Sequence, residues 1–314
     1  MSDSRRLSIN LLSLLQSMSH LARLAEVYVR QGDLHTQLGC FSEAERALNQ
    51  ALTIRKALSD AVGESSVLKS MGFLRWHQGR YEEALACKES ALAIDRQHGD
   101  TMTCATDLTN LGAIFRNLGN HERALACLEE ACQLYELMQN PTKLAPTLYN
   151  IANVHSKLGD LERALAYYQR TYDIHVQTHN LLGQTFALTS IAHIYWELGK
   201  TYDSLRLYKN VVQMTQDIGY GQGLSHALRT LGELLLALNE PREALPYLLE
   251  STTVFAELGD HESETEIWED VYRDLGQHEQ ALYYYHASLN IRREIGDRRG
   301  EGWMLHHLAL VYIS

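Results

Sequence analysis

The chain has no surplus of positive charge and no basic run: 28 Lys and Arg face 39 Asp and Glu, a net charge of −11. A surface that grips a phosphate backbone needs a basic face, so nucleic acid is not expected as a partner. Anionic membranes are disfavoured on the same ground. Nor is there an unbroken stretch of about 18 apolar residues, the length a membrane-crossing helix needs. Near the start, Arg5-Arg6 and Leu7–Leu15 have the outline of a signal peptide, but Ser8, Asn10 and Ser13 interrupt it and no small-residue cleavage site follows. Leu11, Leu14, Leu15, Met18, Leu21, Ala25 and Tyr28 recur instead at helical spacing, which predicts an amphipathic helix.

Chemical motifs are equally scarce. The five cysteines, Cys40, Cys87, Cys104, Cys127 and Cys132, are odd in number and lack CxxC spacing, so no disulfide or zinc framework is expected and a reducing cytoplasm fits best. No HExxH, GxSxG or Walker sequence occurs. His175 and His179 have the i, i+4 spacing of metal ligands but no third ligand nearby. The glycine-rich GYGQG of Gly219–Gly223 follows no strand and reads as a loose loop between helices. Neither a metal, a cofactor nor a catalytic constellation is expected.

What is present is a period. Gly39, Gly79, Gly119, Gly159 and Gly199 stand 40 residues apart, with Asn239 in the next slot and Gly276 37 later. Similar phrases follow each: GRYEEALACK, GNHERALACL, GDLERALAYY, GQHEQALYYY. Seven residues before the first six of these turns sits a small residue: Gly32, Gly72, Gly112, Ala152, Ala192, Gly232. An apolar residue precedes it by about one helical turn, as in Leu68, Leu108, Leu148, Leu188 and Leu228. A small residue on such a face lets two helix backbones approach. Each unit therefore reads as a helix A, a tight turn at the glycine, where a left-handed residue ends the helix, and a helix B. Gly99-Asp100, Gly259-Asp260 and Gly296-Asp297 read as a stop and an N-cap, a slot that Asn140 and Asn180 share. Pro141 and Pro241 suit the first helical position, whereas Pro146 and Pro246 should shift a helix start or bend its first turns.

These features resemble the tetratricopeptide repeat family, whose pattern pairs a Leu-Gly-x-x-Tyr phrase in one helix with an Ala-x-x-x-aromatic phrase in the next. Here the phrases are Leu111-Gly112 with Phe115, Ile191-Ala192 with Tyr195, Ala164 with Tyr168, and Ala281 with Tyr285. The period is 40 rather than about 34, so each helix is nearly a turn longer, as in kinesin light chain, the Pins/LGN adaptors and many bacterial signalling arrays. The phrase Ile291–Tyr312 is most similar to the bacterial ones. The resemblance implies an all-α fold, a right-handed α-solenoid of tandem helix-turn-helix repeats running from 1 to 314. Its repeats fall near 21–59, 60–99, 100–139, 140–179, 180–219, 220–259 and 260–296, with a partial eighth at 297–314.

It also implies a function. In this family helix A forms the concave wall, and positions three and one before the small residue, and one and four after it, should face the groove. These slots carry Lys69, Phe73, Trp76, Arg116, Tyr149, Asn153, His193, Trp196, Arg229 and Glu233. Asn110 and Asn150 lie two before the small residue, where asparagines of the kinesin light chain and Pins/LGN relatives hold a bound peptide backbone. An amide donates and accepts at once, which suits an extended chain. The alternative for Trp76, Trp196 and Phe73 is packing between repeats, and for the two asparagines local capping. Together, aromatics, amides and a few cations make interface composition.

Three departures stand out. The first helix A can be read two turns longer than the others. In the seventh unit helix A is three residues short, with Glu269 at the small-residue position. Leu305, Leu308 and Tyr312 begin an eighth unit without a helix B, so self-association through this end is expected. From Glu257 to Glu279 there are nine carboxylates and one Arg, an acidic stretch against the cations Lys69, Arg116, Lys157 and Arg229 of the middle groove, which could orient a peptide. The expected role is a protein-interaction scaffold that binds a protein or peptide segment. The alternative is the regulatory or sensor segment of a larger bacterial signalling or effector protein, with an ATPase, protease or transcription regulator as the other module.

Overall fold

The computed structural model describes residues 2–98 and 101–258, with side chains from residue 17 onward except Pro241 and Ala256, and isolated positions between 286 and 309. Among the described residues every regular element is helical. The order is α1 (Ser2–Gln37), α2 (Phe41–Ala57), α3 (Ala61–His77), α4 (Tyr81–His98), α5 (Thr101–Asn117), α6 (His121–Leu137), α7 (Pro141–Lys157), α8 (Leu161–Gln177), α9 (Leu181–Glu197), α10 (Thr201–Asp217), α11 (Gly221–Ala237) and α12 (Pro241–Glu257). From α2 onward a helix begins every 20 residues, so two helices make the 40-residue period. The chain divides into two compact units, Met1–Val154 and His155–Ser314, and the division falls within α7.

The turns explain the strict spacing. Gly39, Gly79, Gly119, Gly159 and Gly199 all have φ between +72° and +77°. Each closes its helix with a pair of bonds: the Gly119 amide donates to Arg116 O, and the next amide, of Asn120, to Phe115 O. Asn239 takes the same left-handed conformation at φ 60°, as its cap-like chemistry allows. At the other end of helix B the left-handed residue is Ser59, Gln139, His179 or Gly219. N-caps follow: the side chains of Asp60, Asn120, Asn140, Asp160 and Asn180 accept from the amide three residues on.

Two expectations need correction. Gly219–Gly223 is not a loose loop: Gly219 is a left-handed turn residue, Tyr220 the N-cap, and α11 begins at Gly221. Pro146 and Pro246 do not shift their helix starts, since α7 and α12 each run 17 residues from Pro141 and Pro241. A proline at the sixth helical position forfeits one early backbone bond, which those helices absorb. The longer first helix exceeds the extra two turns expected of it, spanning 36 residues. The seventh-unit irregularity at Glu269, the caps at Gly99-Asp100, Gly259-Asp260 and Gly296-Asp297, and most of the acidic stretch lie outside the described residues.

The small residues mark where helices A and B touch. A Cβ on Gly112 would come within 2.5 Å of Leu128 Cγ and 3.2 Å of Ala124 O. Gly32 and Gly232 face Leu48 and Leu248 in the same way. Ala192, with one methyl more, shares its core with the flatter Tyr208. Around these contacts Leu108, Leu111 and Leu128 are 2% exposed or less, each worth roughly 1.5–3 kcal/mol of burial. In the second unit Leu228, Leu231, Leu235, Leu248 and Phe255 repeat the arrangement.

Candidate functional site

One slot of the face expected to be open on the A helices is closed. The position just before the small residue is core: Leu111, Ile151, Ile191 and Leu231 are 2% exposed or less. Helix A packs on its own helix B and also on neighbouring repeats, so its buried arc is wider than one partner would make it. In the first repeat the same slot holds Gln31, which is exposed. Gln31 lines a polar cavity of about 250 Å³ with Tyr28, His35, Glu43, Arg46 and Gln50. In the second repeat this slot is Met71, packed against the core cluster that includes Val29, Ala44 and Leu48.

In the first unit, α3, α5 and α7 present Lys69, Phe73, Trp76, Asn110, Arg116, Tyr149, Asn150 and Asn153. These residues are not equivalent in availability. Lys69 is withdrawn: its Nζ lies 2.8 Å from a carboxylate oxygen of Asp95 and 2.8 Å from one of Asp107. Two carboxylates thus share the charge expected to face the groove. Phe73 remains exposed and meets His77 edge-on at 4.4 Å. Trp76 is half-buried against Tyr81, with centroids 4.6 Å apart. Tyr149 and Asn153 are half-buried on α7.

Arg116 joins two helices. Its Nη1 donates to Asn150 Oδ1 at 2.8 Å, while Nε and Nη2 donate to Asn117 Oδ1 at 3.3 and 3.2 Å. Among the described residues it has no carboxylate partner, unlike Lys69. Asn150 therefore spends part of its acceptor capacity on Arg116, whereas the exposed Asn110 amide has no hydrogen-bond partner there. The two asparagines expected as an equivalent pair have different chemistry.

In the second unit, α9 and α11 carry His193, Trp196 and Arg229. His193 is exposed, with Nδ1 3.8 Å from Glu197. Trp196 is half-buried and packs against the unit's core. Arg229 Nε donates to Glu233 Oε1 at 2.6 Å, so this face is locally neutralised. The His175 ring lies against Gly183, where a Cβ would strike it, and burial lowers its basicity. None of the five cysteines is in a disulfide, and burial raises the thiols of Cys87 and Cys127. Among the described residues no three metal-binding side chains converge, and no helix is long and apolar enough to cross a membrane. Of the residues expected at the open end, Leu305 is 46% exposed but Leu308 only 5%, and Tyr312 lies outside the described residues.

Among the described residues, helix pairs with small residues between their backbones and left-handed residues at the turns define a helical-repeat protein of the solenoid class. The chain belongs to the tetratricopeptide repeat family, whose profile matches residues 23–97, 102–175 and 183–257. A search of curated proteins finds no match. Among solved structures the chain is similar to BtubC (BKLC) from P. vanneervenii, at 20% identity and a TM-score of 0.60 over 69% of this chain and 90% of that one. It is similar to a STAND signal-transduction ATPase with a tetratricopeptide repeat sensor from Pyrococcus horikoshii, at 17% identity and a TM-score of 0.66, covering 77% of this chain and 37% of that one. A Rap protein complexed with Competence and Sporulation Factor matches over 95% of this chain and 98% of its own, at 11% identity and a TM-score of 0.55. At these identities the likeness is one of fold.

Proposed function

We propose that this protein is a non-catalytic interaction module that binds an extended protein or peptide segment along the helix-A face of its first unit. Phe73, Trp76 and Tyr149 supply apolar contact, Asn110, Asn150 and Asn153 supply amides for a backbone, and Arg116 meets an acidic group of the partner. The observation that carries this reading is the state of Arg116: in a chain of net charge −11, its partners among the described residues are amide oxygens. A guanidinium held in place with donors to spare is suited to a carboxylate. His193, Trp196 and Arg229 form a separate stretch of the second unit with a more neutral character. The working compartment in this reading is the cytoplasm, and the whole chain serves as one repeat array.

The second reading, a regulatory or sensor segment of a larger signalling protein, draws on the STAND structure, of which this chain spans about a third. Both readings use the same face. Fluorescence anisotropy with labelled peptide libraries of acidic, neutral and basic bias tests it. Acidic peptides should bind tightest, and Arg116→Gln should weaken them about tenfold, the loss of a charged hydrogen bond. Equal binding of all three libraries, untouched by Arg116→Gln, would sink it.

A further inference from the structure

Charged side chains gather where the second and third repeats meet, in slots that most other repeats fill with apolar or neutral residues. Lys88 stands in the slot of Leu48, Leu128 and Leu248, beneath Gly72. Asp107 occupies that of Val67, Thr147, Ala187 and Ala227, which are buried at 3% exposure or less. Asp95, itself 4% exposed, replaces the residue that is Tyr135 in the next repeat and Phe255 in the sixth. The three are drawn together with Lys69, whose ammonium touches both carboxylates at 2.8 Å. Ser65 Oγ donates to Asp95 at 2.8 Å. The cluster thus ties α5 to both α3 and α4.

We propose that this joint is proton-sensitive: protonation of Asp107 tightens the seating of α5 on the α3–α4 pair. One ammonium serves two buried carboxylates, and they are unequally served. Asp95 has Ser65 as a second donor, while the buried Oδ2 of Asp107 rests against Lys69 without a well-directed hydrogen bond. The groups facing Asp107 are Lys69 from α3 and Asp95 and Lys88 from α4. The neighbours of this stretch from α6 and α7 are the hydroxyls of Tyr135 and Thr147, reached through Thr106 and Thr109. A proton on Asp107 removes one buried charge and makes the group a donor for Asp95.

The electrostatics of the cluster agree with the geometry. Burial, reinforced by the Asp95 carboxylate and offset by Lys69, pushes the Asp107 carboxyl up to about 6. Against the same burial, Lys69 and Ser65 hold Asp95 below its ordinary value. Burial lowers Lys88. A carboxyl raised on folding binds its proton more tightly folded than unfolded, so its contribution to stability is greatest at low pH and falls as pH rises from 3.8 through about 6. Because α5 carries Asn110 and Arg116, the same proton affects how firmly those residues are held.

Hydrogen exchange of the α5 amides, corrected for intrinsic rates, tests this in the full chain. The opening constant should be about tenfold smaller near pH 5 than near pH 7.5, and Asp107→Asn should abolish that difference. Absence of the shift in the native chain, or its survival in Asp107→Asn, overturns the proposal. Should the variant not fold, carboxyl NMR of the native protein decides: a midpoint near 6 is expected for Asp107, and one in the ordinary aspartate range overturns it.

Discussion

Helices α3–α5 of the first unit and α9–α11 of the second place the same backbone slots in the same register, 120 residues apart. Ser65, Lys69, Lys88, Asp95 and Asp107 become Thr185, Thr189, Tyr208, Thr215 and Ala227. In the second unit each threonine hydroxyl is satisfied within its own helix: Thr185 donates to Leu182 O, Thr189 to Thr185 O and Thr215 to Val211 O, all at 2.8 Å. In the first unit the polar groups reach across three helices to find partners. The difference teaches that the fold demands small residues and left-handed turns, while the interior slots between them accept any chemistry whose polar groups are satisfied.

The largest test of this contrast removes the shared partner. Lys69→Met should cost about 3 kcal/mol near neutral pH, since it leaves two buried carboxylates together, and less in acid where Asp107 is protonated. Thr189→Val, at the same slot of the second unit, should cost less than about 1 kcal/mol. Urea unfolding of both variants measures the difference, and equal costs would erase the distinction between the units. Next in size is a substitution that should not distinguish them. Gly112→Ala and Gly232→Ala each drive a methyl into a buried leucine, and each should lose about 1–3 kcal/mol by the same measurement. A tolerated alanine in either unit would show that its helices can move apart. The smallest effect lies within the first unit. Asn150→Ala should cost about 1 kcal/mol of stability through the lost Arg116 bond, whereas the exposed Asn110→Ala should fall within about 0.5 kcal/mol of the native protein. Thermal melts separate the two, and matched losses would restore their equivalence.

Much of the fold can be read from the sequence because its determinants are local. Gly119 ends a helix by its own φ, and Asn140 and Asn180 cap the helix beginning at the next residue. Gly112 leaves a gap that only its 40-residue companions make meaningful. The site is harder because it depends on side chains meeting between helices. Lys69 reads as a groove cation until Asp95 and Asp107, 26 and 38 residues away, are seen to claim it. Asn110 and Asn150 look alike until Arg116 occupies only one of them. The glycines at 219–223 misled for another reason: their number suggested looseness, whereas only Gly219 has a left-handed backbone. The proline at 146 misled by type, because its cost depends on how far into the helix it stands.

The uniform helix length has a genetic consequence. Helices start every 20 residues, but small residues, turn glycines and buried slots recur only every 40. Recombination that removed or duplicated 20 residues would preserve the spacing of helices while presenting each face to the wrong neighbour. An exchange of 40 restores both. The gene can therefore grow or shrink smoothly only by whole helix pairs, and a charged joint such as the one around Asp107 must be inherited with parts of two adjacent pairs or it arrives with its charges unmatched.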